Sequence, residues 1–322
     1  MHILIPYASA ASPDTDKWVQ TVRLPNLNRL LATMRLSHSD VGTEDTYSPP
    51  HERALARLQG LPASDGYIPW AAQRAATLGL ATAHGAPWCF VTLCHCIVGM
   101  NDVQMQNPDL LQITESESQS LFAAMQPFFA EDGLLLHRLD DVPGTFLVNG
   151  EPLRGTCTAS LDRVIGKNIN QWQASGTNSA KLHRLQNEMQ MLLYTHSVNA
   201  ARDRSKAANI NSLWFHGNGE LAAPAQTAHA NVVMPRNLAN AAFNDDWMAW
   251  TMAWKELDAT ICADLRHRTN TGEPVTLTLC GERSARSYEI RPKSIINQLT
   301  RTFTNVFGLN PAYSLPKVLL NL

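Results

Sequence analysis

Residues 153–221 read LRGTCTASLDRVIGKNINQWQASGTNSAKLHRLQNEMQMLLYTHSVNAARDRSKAANINSLWFHGNGEL, and this stretch decides the fold class. From 179 to about 202, Leu182, Leu185, Met189, Leu192, Leu193, His196 and Ala200 recur at spacings of three and four, the stripe of a helix that faces a core. Ser179 stands where an N-cap belongs. A polar turn leads into residues 210–215, a run with strand character that stops at His216-Gly217-Asn218-Gly219. Helix, turn, strand and Gly-rich loop outline half of an α/β unit.

Carboxamides are unusually dense here: Asn187, Gln190, Asn199, Asn209 and Asn211 lie in or beside segments that the pattern buries. A buried amide without a partner costs about 1–3 kcal/mol, so these side chains either tie the helix to neighbouring backbone or line a wet pocket. Both readings stay open at this stage.

The segments ASLDRVIG, RLQNEMQMLLYTH with NAAR after it, and INSLWFHGNGEL resemble a bacterial family of about this length, described either as cofactor-independent phosphoglycerate mutase-like or as RpfE-type regulatory proteins. The resemblance runs from the first strand to the region around Cys280. It implies an α/β fold distantly related to the alkaline phosphatase-like superfamily.

With 44% hydrophobic and 17% charged residues, the 322-residue chain can bury a sizeable core, and it is read as one α/β domain over 1–322 with a tail at 308–322 that the pattern does not place. A net charge of −2 without long basic runs excludes nucleic acid as a main partner. Six cysteines at 89, 94, 96, 157, 262 and 280 follow no disulfide framework, MHILIPYASA has no basic leader, and no stretch approaches the roughly 18–20 apolar residues of a membrane span. A reduced, cytoplasmic protein is the expectation.

In chain order, residues 2–7 fit a central strand, and Leu27, Leu30, Leu31 and Met34 mark a helix from 24 or 25. Residues 37–50 read as a surface loop, 51–58 and 71–78 as helices, and 87–98 as one apolar strand with 103–105 as its partner. Thr114 and Glu117 form a capping box, and 134–139 pairs with 145–148. A short strand at 230–234, a long helix from 245 to about 267 with a core stripe of Trp247, Trp250 and Trp254, a strand at 275–279 and a helix at 295–307 complete the reading. The sum is a three-layer α/β/α fold with a mixed, mostly parallel sheet of roughly six to eight strands.

The family resemblance implies two metal ions held by Asp and His side chains and a Ser or Thr nucleophile, because in-line phosphoryl transfer needs charge neutralised on both sides. The residues depart from that demand. After the first strand stands Pro6-Tyr7-Ala8-Ser9, without a carboxylate, Asp264 and His267 lack partners, and Asp245-Asp246 reads as acid at a helix N-terminus. Cys94-His95-Cys96 on a strand sends its histidine away from its cysteines, so no metal is assigned.

The candidate ligand-binding residues are therefore His95, Asn187, Gln190, His196, Asn199, Asn211, His216, Gly217 and Gly219, gathered where strands of an open α/β sheet end. Arg283 and Arg286, with Arg291, are candidates to grip an anion. These residues point to a regulatory or small-ligand-binding protein with an anionic or phosphorylated ligand and no cofactor. The alternative is a phosphotransferase or phosphohydrolase using manganese, zinc or magnesium.

Overall fold

The computed structural model describes residues 1–9, 15–80, 85–221, 232–290 and 315–322. They gather into two compact units, Met1–Glu44 with His229–Leu322, and Asp45–Ala228. The sequence reading takes 1–322 as one domain, whereas the segment between the two halves of the first unit has a sheet and a core of its own. Hydrophobic periodicity marks elements and carries no sign of that division.

The chain begins with β1 (His2–Ile5), α1 (Thr15–Thr21), α2 (Pro25–Thr33) and β2 (Met34–Val41). The second unit follows with α3 (Pro50–Leu58), α4 (Trp70–Thr77), β3 (Pro87–Cys94), β4 (Cys96–Val98), β5 (Val103–Met105), α5 (Glu115–Glu131), β6 (Leu135–Arg138) and β7 (Thr145–Asn149). It continues through β8 (Thr156–Cys157), α6 (Leu161–Val164), β9 (Ser175–Gly176), α7 (Ser179–Thr195), α8 (Ser197–Ser205) and β10 (Ser212–Glu220). The first unit resumes with β11 (Val232–Val233), α9 (Asn237–Phe243), α10 (Trp247–Leu257), a π-helical turn (Asp258–Cys262), α11 (Ala263–Thr271), β12 (Thr276–Cys280), β13 (Ser284–Ile290) and α12 (Leu315–Leu320). The expected helix at 295–307 and Arg291 lie outside the described residues. None of the described helices is long and apolar enough to cross a membrane.

In the first unit the sheet order is β11-β1-β12-β13-β2. β1 lies inside the sheet, between β11 and β12, because Ile3, Leu4 and Ile5 are apolar on both faces and can be covered on both. The fold is a mixed α/β fold, as expected, but among the described residues parallel pairing between strands is limited to β1 with β11 and β12. A parallel neighbour needs a long crossover, whereas β12 and β13 are joined by a short turn and must run antiparallel. Ile3, Ile5, Leu277, Leu279 and Tyr288 pack with Leu27, Leu30, Trp250, Trp254 and Leu319 from α2, α10 and α12. The tail that the pattern left unplaced thus contributes to this core. Trp250 and Trp254 donate their indole N–H groups to the carbonyls of Tyr7 and Ala8 at 2.9 and 3.2 Å, so the stripe is core with a polar handle.

In the second unit the antiparallel order is β10-β3-β7-β6. Alternation along β3 divides its side chains between two cores. Cys89, Val91 and Leu93 meet α5 and α7, while Trp88 meets Ala56 of α3 and Ala71, Ala72 and Ala75 of α4. The capping box at Thr114 and Glu117 forms as expected. Three boundaries differ from expectation. The apolar run breaks at His95 into β3 and β4, the long helix breaks at His196 into α7 and α8, and β10 runs on through His216-Gly217-Asn218-Gly219 with a register shift.

Candidate functional site

α7 presents two stripes. Leu182, Leu185, Met189 and Leu193 enter the core, and beside them His183, Gln186, Asn187, Gln190, Met191 and Tyr194 recur at three- and four-residue spacing along one wall of a cleft of about 540 Å³. The facing wall comes from Ile169, Asn170 and Gln173 and from Cys96, Val98 and Val103 of β4 and β5, with Asn211 and Ser212 beneath. No Lys, Arg, Asp or Glu is among these lining residues.

Some of these groups are already engaged. Asn211 accepts from the Cys96 N–H at 2.7 Å and donates to the Cys96 carbonyl at 2.8 Å, which fixes β4 against the start of β10. Gln190 donates to Ser212 Oγ at 3.3 Å, and the His183 ring meets the Ala174 carbonyl at 2.8 Å. Gln186 is different: only 6% of it is exposed, and it finds no hydrogen-bond partner among the described residues. Cys96 borders the same space, its thiol pulled below the ordinary cysteine value chiefly by a hydrogen bond from Cys94, while the Cys94 thiol is pushed up.

Of the expected ligand residues, the cleft brings together Asn187, Gln190 and Asn211. The two histidines expected to share it with the helix amides are absent from its lining. His95 Nδ1 lies 2.6 Å from the Asn209 carbonyl, and His216 Nε2 lies 2.9 Å from Thr92 Oγ1 with its ring stacked on Phe90. Burial pushes the His216 imidazole down to about 4, a shift that the Asp162 charge opposes. His196 caps α8 by accepting from the Val198 N–H. Asn199 is buried, donating to the Leu193 and Ile210 carbonyls and accepting from the Ile210 N–H.

The Gly-rich segment is a strand irregularity rather than an anion loop. Gly217 adopts φ 63° against Phe90 and Trp70, and a Cβ at Gly219 would stand 2.7 Å from the Tyr67 carbonyl. Arg283 pairs with Glu44 at 3.1 Å, while Arg286 sits within β13 opposite Leu279 and Ser39, so the two do not form the expected grip at a strand's end. Asp264 pairs with Arg268, and Asp246 caps α10 by accepting from the Ala249 N–H.

A second polar group, which the sequence reading missed, lies where α3 and α6 begin. Pro50 opens α3 and places His51 and Glu52 in its first turn. Ser160 caps α6 by accepting from the Asp162 N–H at 3.2 Å, and its hydroxyl donates to Glu52. His51 Nε2 lies 2.8 Å from Asp162 Oδ2, and Glu52 also accepts from the Trp70 indole at 3.1 Å. Burial raises the Glu52 carboxyl above its ordinary range, with the nearby His51 charge opposing and the Asp162 charge adding to the shift. One ligating atom from each of His51, Glu52 and Asp162 lies within 4.8 Å of the others. His51 and Asp162 are 111 positions apart, so no local spacing could announce them.

No family model matches the chain, and no curated protein matches it. Among solved structures, it is similar to the cofactor-independent phosphoglycerate mutase from Thermoplasma acidophilum DSM 1728, at 13% identity and a TM-score of 0.37 over 91% of this chain and 90% of that one. It is also similar to the PH0037 protein from Pyrococcus horikoshii, at 12% identity and a TM-score of 0.46 over 90% and 87%.

Proposed function

We propose that residues 45–228 bind a small uncharged molecule with a hydrogen-bonding edge and an apolar body, and that the chain acts as a regulatory, ligand-binding protein. The observation that carries this reading is Gln186, a cleft-wall residue whose amide has no hydrogen-bond partner among the described residues, beside the amides of Asn187 and Gln190. The Gln186 amide faces the cleft with its hydrogen-bonding groups unused by the described residues, so a ligand edge can pair with it. Val98, Val103, Ile169, Met191 and Tyr194 supply apolar contact, and about 540 Å³ falls in the range of sites for small molecules.

The chemistry of the lining favours neutral ligands over the anionic or phosphorylated class expected from the sequence, because it offers an anion no Arg or Lys. A thermal-shift panel of lactams, ureas and nucleobases, with phosphate esters as the opposing arm, tests this reading. Neutral members should raise the melting temperature of the wild-type chain and leave Gln186→Leu unchanged. Stabilisation by phosphate esters alone, or equal shifts in both proteins, would overturn it.

A further inference from the structure

We propose that His51, Glu52 and Asp162 form a binding site for one divalent cation of the manganese or zinc class. An imidazole and two carboxylates are the donors that such ions take, and three atoms within 4.8 Å of one another can converge on a single ion after small side-chain adjustments. The site is separate from the amide cleft, whose lining contains none of the three residues.

Glu52 gives this assignment a second support. Its carboxylate accepts from Ser160 and Trp70, both neutral donors, and no cationic side chain is bonded to it among the described residues. Those two donors orient the carboxylate as outer-shell partners do around a metal, and Asp162 is fixed in turn through the cap made by Ser160. Glu52 and Asp162 are each partly exposed, which gives an ion a way in. Arg53 and Arg163 are the buried cations next to these residues in sequence. Arg53 donates to the Ser48 carbonyl at 2.5 Å, and the Arg163 guanidinium lies 5.5 Å from the Trp172 ring centre. A neutral imidazole brings no negative charge to the ion, so the ion depends on both carboxylates, and losing either one should be felt strongly.

The experiment uses Mn²⁺ and the full chain after treatment with a chelator. Manganese discriminates against the thiols, because soft sulfur ligands hold it poorly. Loss of the free Mn²⁺ resonance in an electron paramagnetic resonance titration should show one ion per chain, with affinity lower by about tenfold or more in Glu52→Gln and in Asp162→Asn. Circular dichroism checks that the variants remain folded. The wild-type complex should also show hyperfine coupling to a histidine nitrogen, a readout that does not depend on any variant folding. No stoichiometric ion, no nitrogen coupling, or affinity retained in both carboxylate variants would overturn the site.

Discussion

Asn199 and Gln186 are carboxamides on neighbouring helices, both nearly enclosed at 4% and 6% exposure, and the fold uses them in opposite ways. Asn199 makes three hydrogen bonds to backbone, whereas Gln186 has no partner among the described residues. The break between α7 and α8 accounts for the difference. His196 turns to an extended conformation at φ −71° and ψ 140°, the end of α7 presents its last carbonyls, and Asn199 reaches the Leu193 carbonyl across the break. Gln186 lies within the continuous helix, where the backbone already satisfies itself. The same carboxamide group is thus a brace at a helix end and a recognition group in a helix interior.

The comparison depends on the orientation of α7, and Leu193→Asp would break it most severely. Leu193 is wholly buried among Met125, Phe129 and Leu213, so a carboxylate there should cost more than about 4 kcal/mol in a urea denaturation measurement. Lys181→Ala on the exposed side of the same helix should be nearly silent. Equal losses in the two variants would show that α7 is turned the other way.

Next in size is Asn199→Ala. Removing the brace strands the Ile210 N–H and carbonyl, while the Leu193 carbonyl keeps a bond from the His196 N–H, so the loss should be on the order of 3 kcal/mol. Ligand affinity, measured where the variant is fully folded, should stay within about twofold, a small fraction of the tenfold that 1.4 kcal/mol represents. A stable Asn199→Ala protein that no longer binds would exchange the roles given to the two amides.

Most of the regular elements were legible in the sequence because each satisfies a local rule. The apolar run at Ile3–Ile5, the Leu27, Leu30 and Leu31 stripe, the Thr114 capping box and the tryptophan stripe of α10 all appear as the pattern predicts. The strands β2 and β13 were missed because much of their length is polar and β2 lies mostly exposed at a sheet edge, where no alternation of apolar residues is needed. His216-Gly217-Asn218-Gly219 has the composition of a turn, yet it pairs with β3 around an irregularity, which only the partner strand reveals. The amide stripe of α7 was visible at helical spacing, but its neighbour Gln186 gave no sign that it would lack a partner, since that depends on the residues that other segments, Ile169 and Val103 among them, bring to the cleft lining.

His216 extends the comparison to a titrating group, a braced side chain that carries no charge while it is buried. Its imidazole is pushed down from 6.5 to about 4, so the neutral ring contributes stability that is fully present above pH 6.5 and is lost as pH falls towards 4. The slope from this one group is at most about 1.4 kcal/mol per pH unit in that window, and His216→Gln should remove it. Nuclear magnetic resonance of the His216 ring, assigned by its absence in the variant, should show no titration above pH 5. A midpoint near 6.5 would mean that the ring is hydrated and the brace at Thr92 open.

The smallest effect on stability is expected at Gln186, and it decides most about function. Gln186→Leu replaces an amide that bonds to no described residue with an apolar side chain, next to a helix face that already carries Leu182, Leu185 and Met189. The mutation loses no hydrogen bond to a described residue, so the folded state should shift by less than about 1 kcal/mol. Binding of a neutral ligand, by contrast, should fall by about tenfold or more, as the loss of one hydrogen bond to the ligand requires. Calorimetry of ligand binding, paired with urea denaturation of the same protein, separates the two quantities. If Gln186→Leu unfolds at lower urea by as much as Asn199→Ala does, then Gln186 is a brace as well, and the cleft loses the feature that marks it as a site.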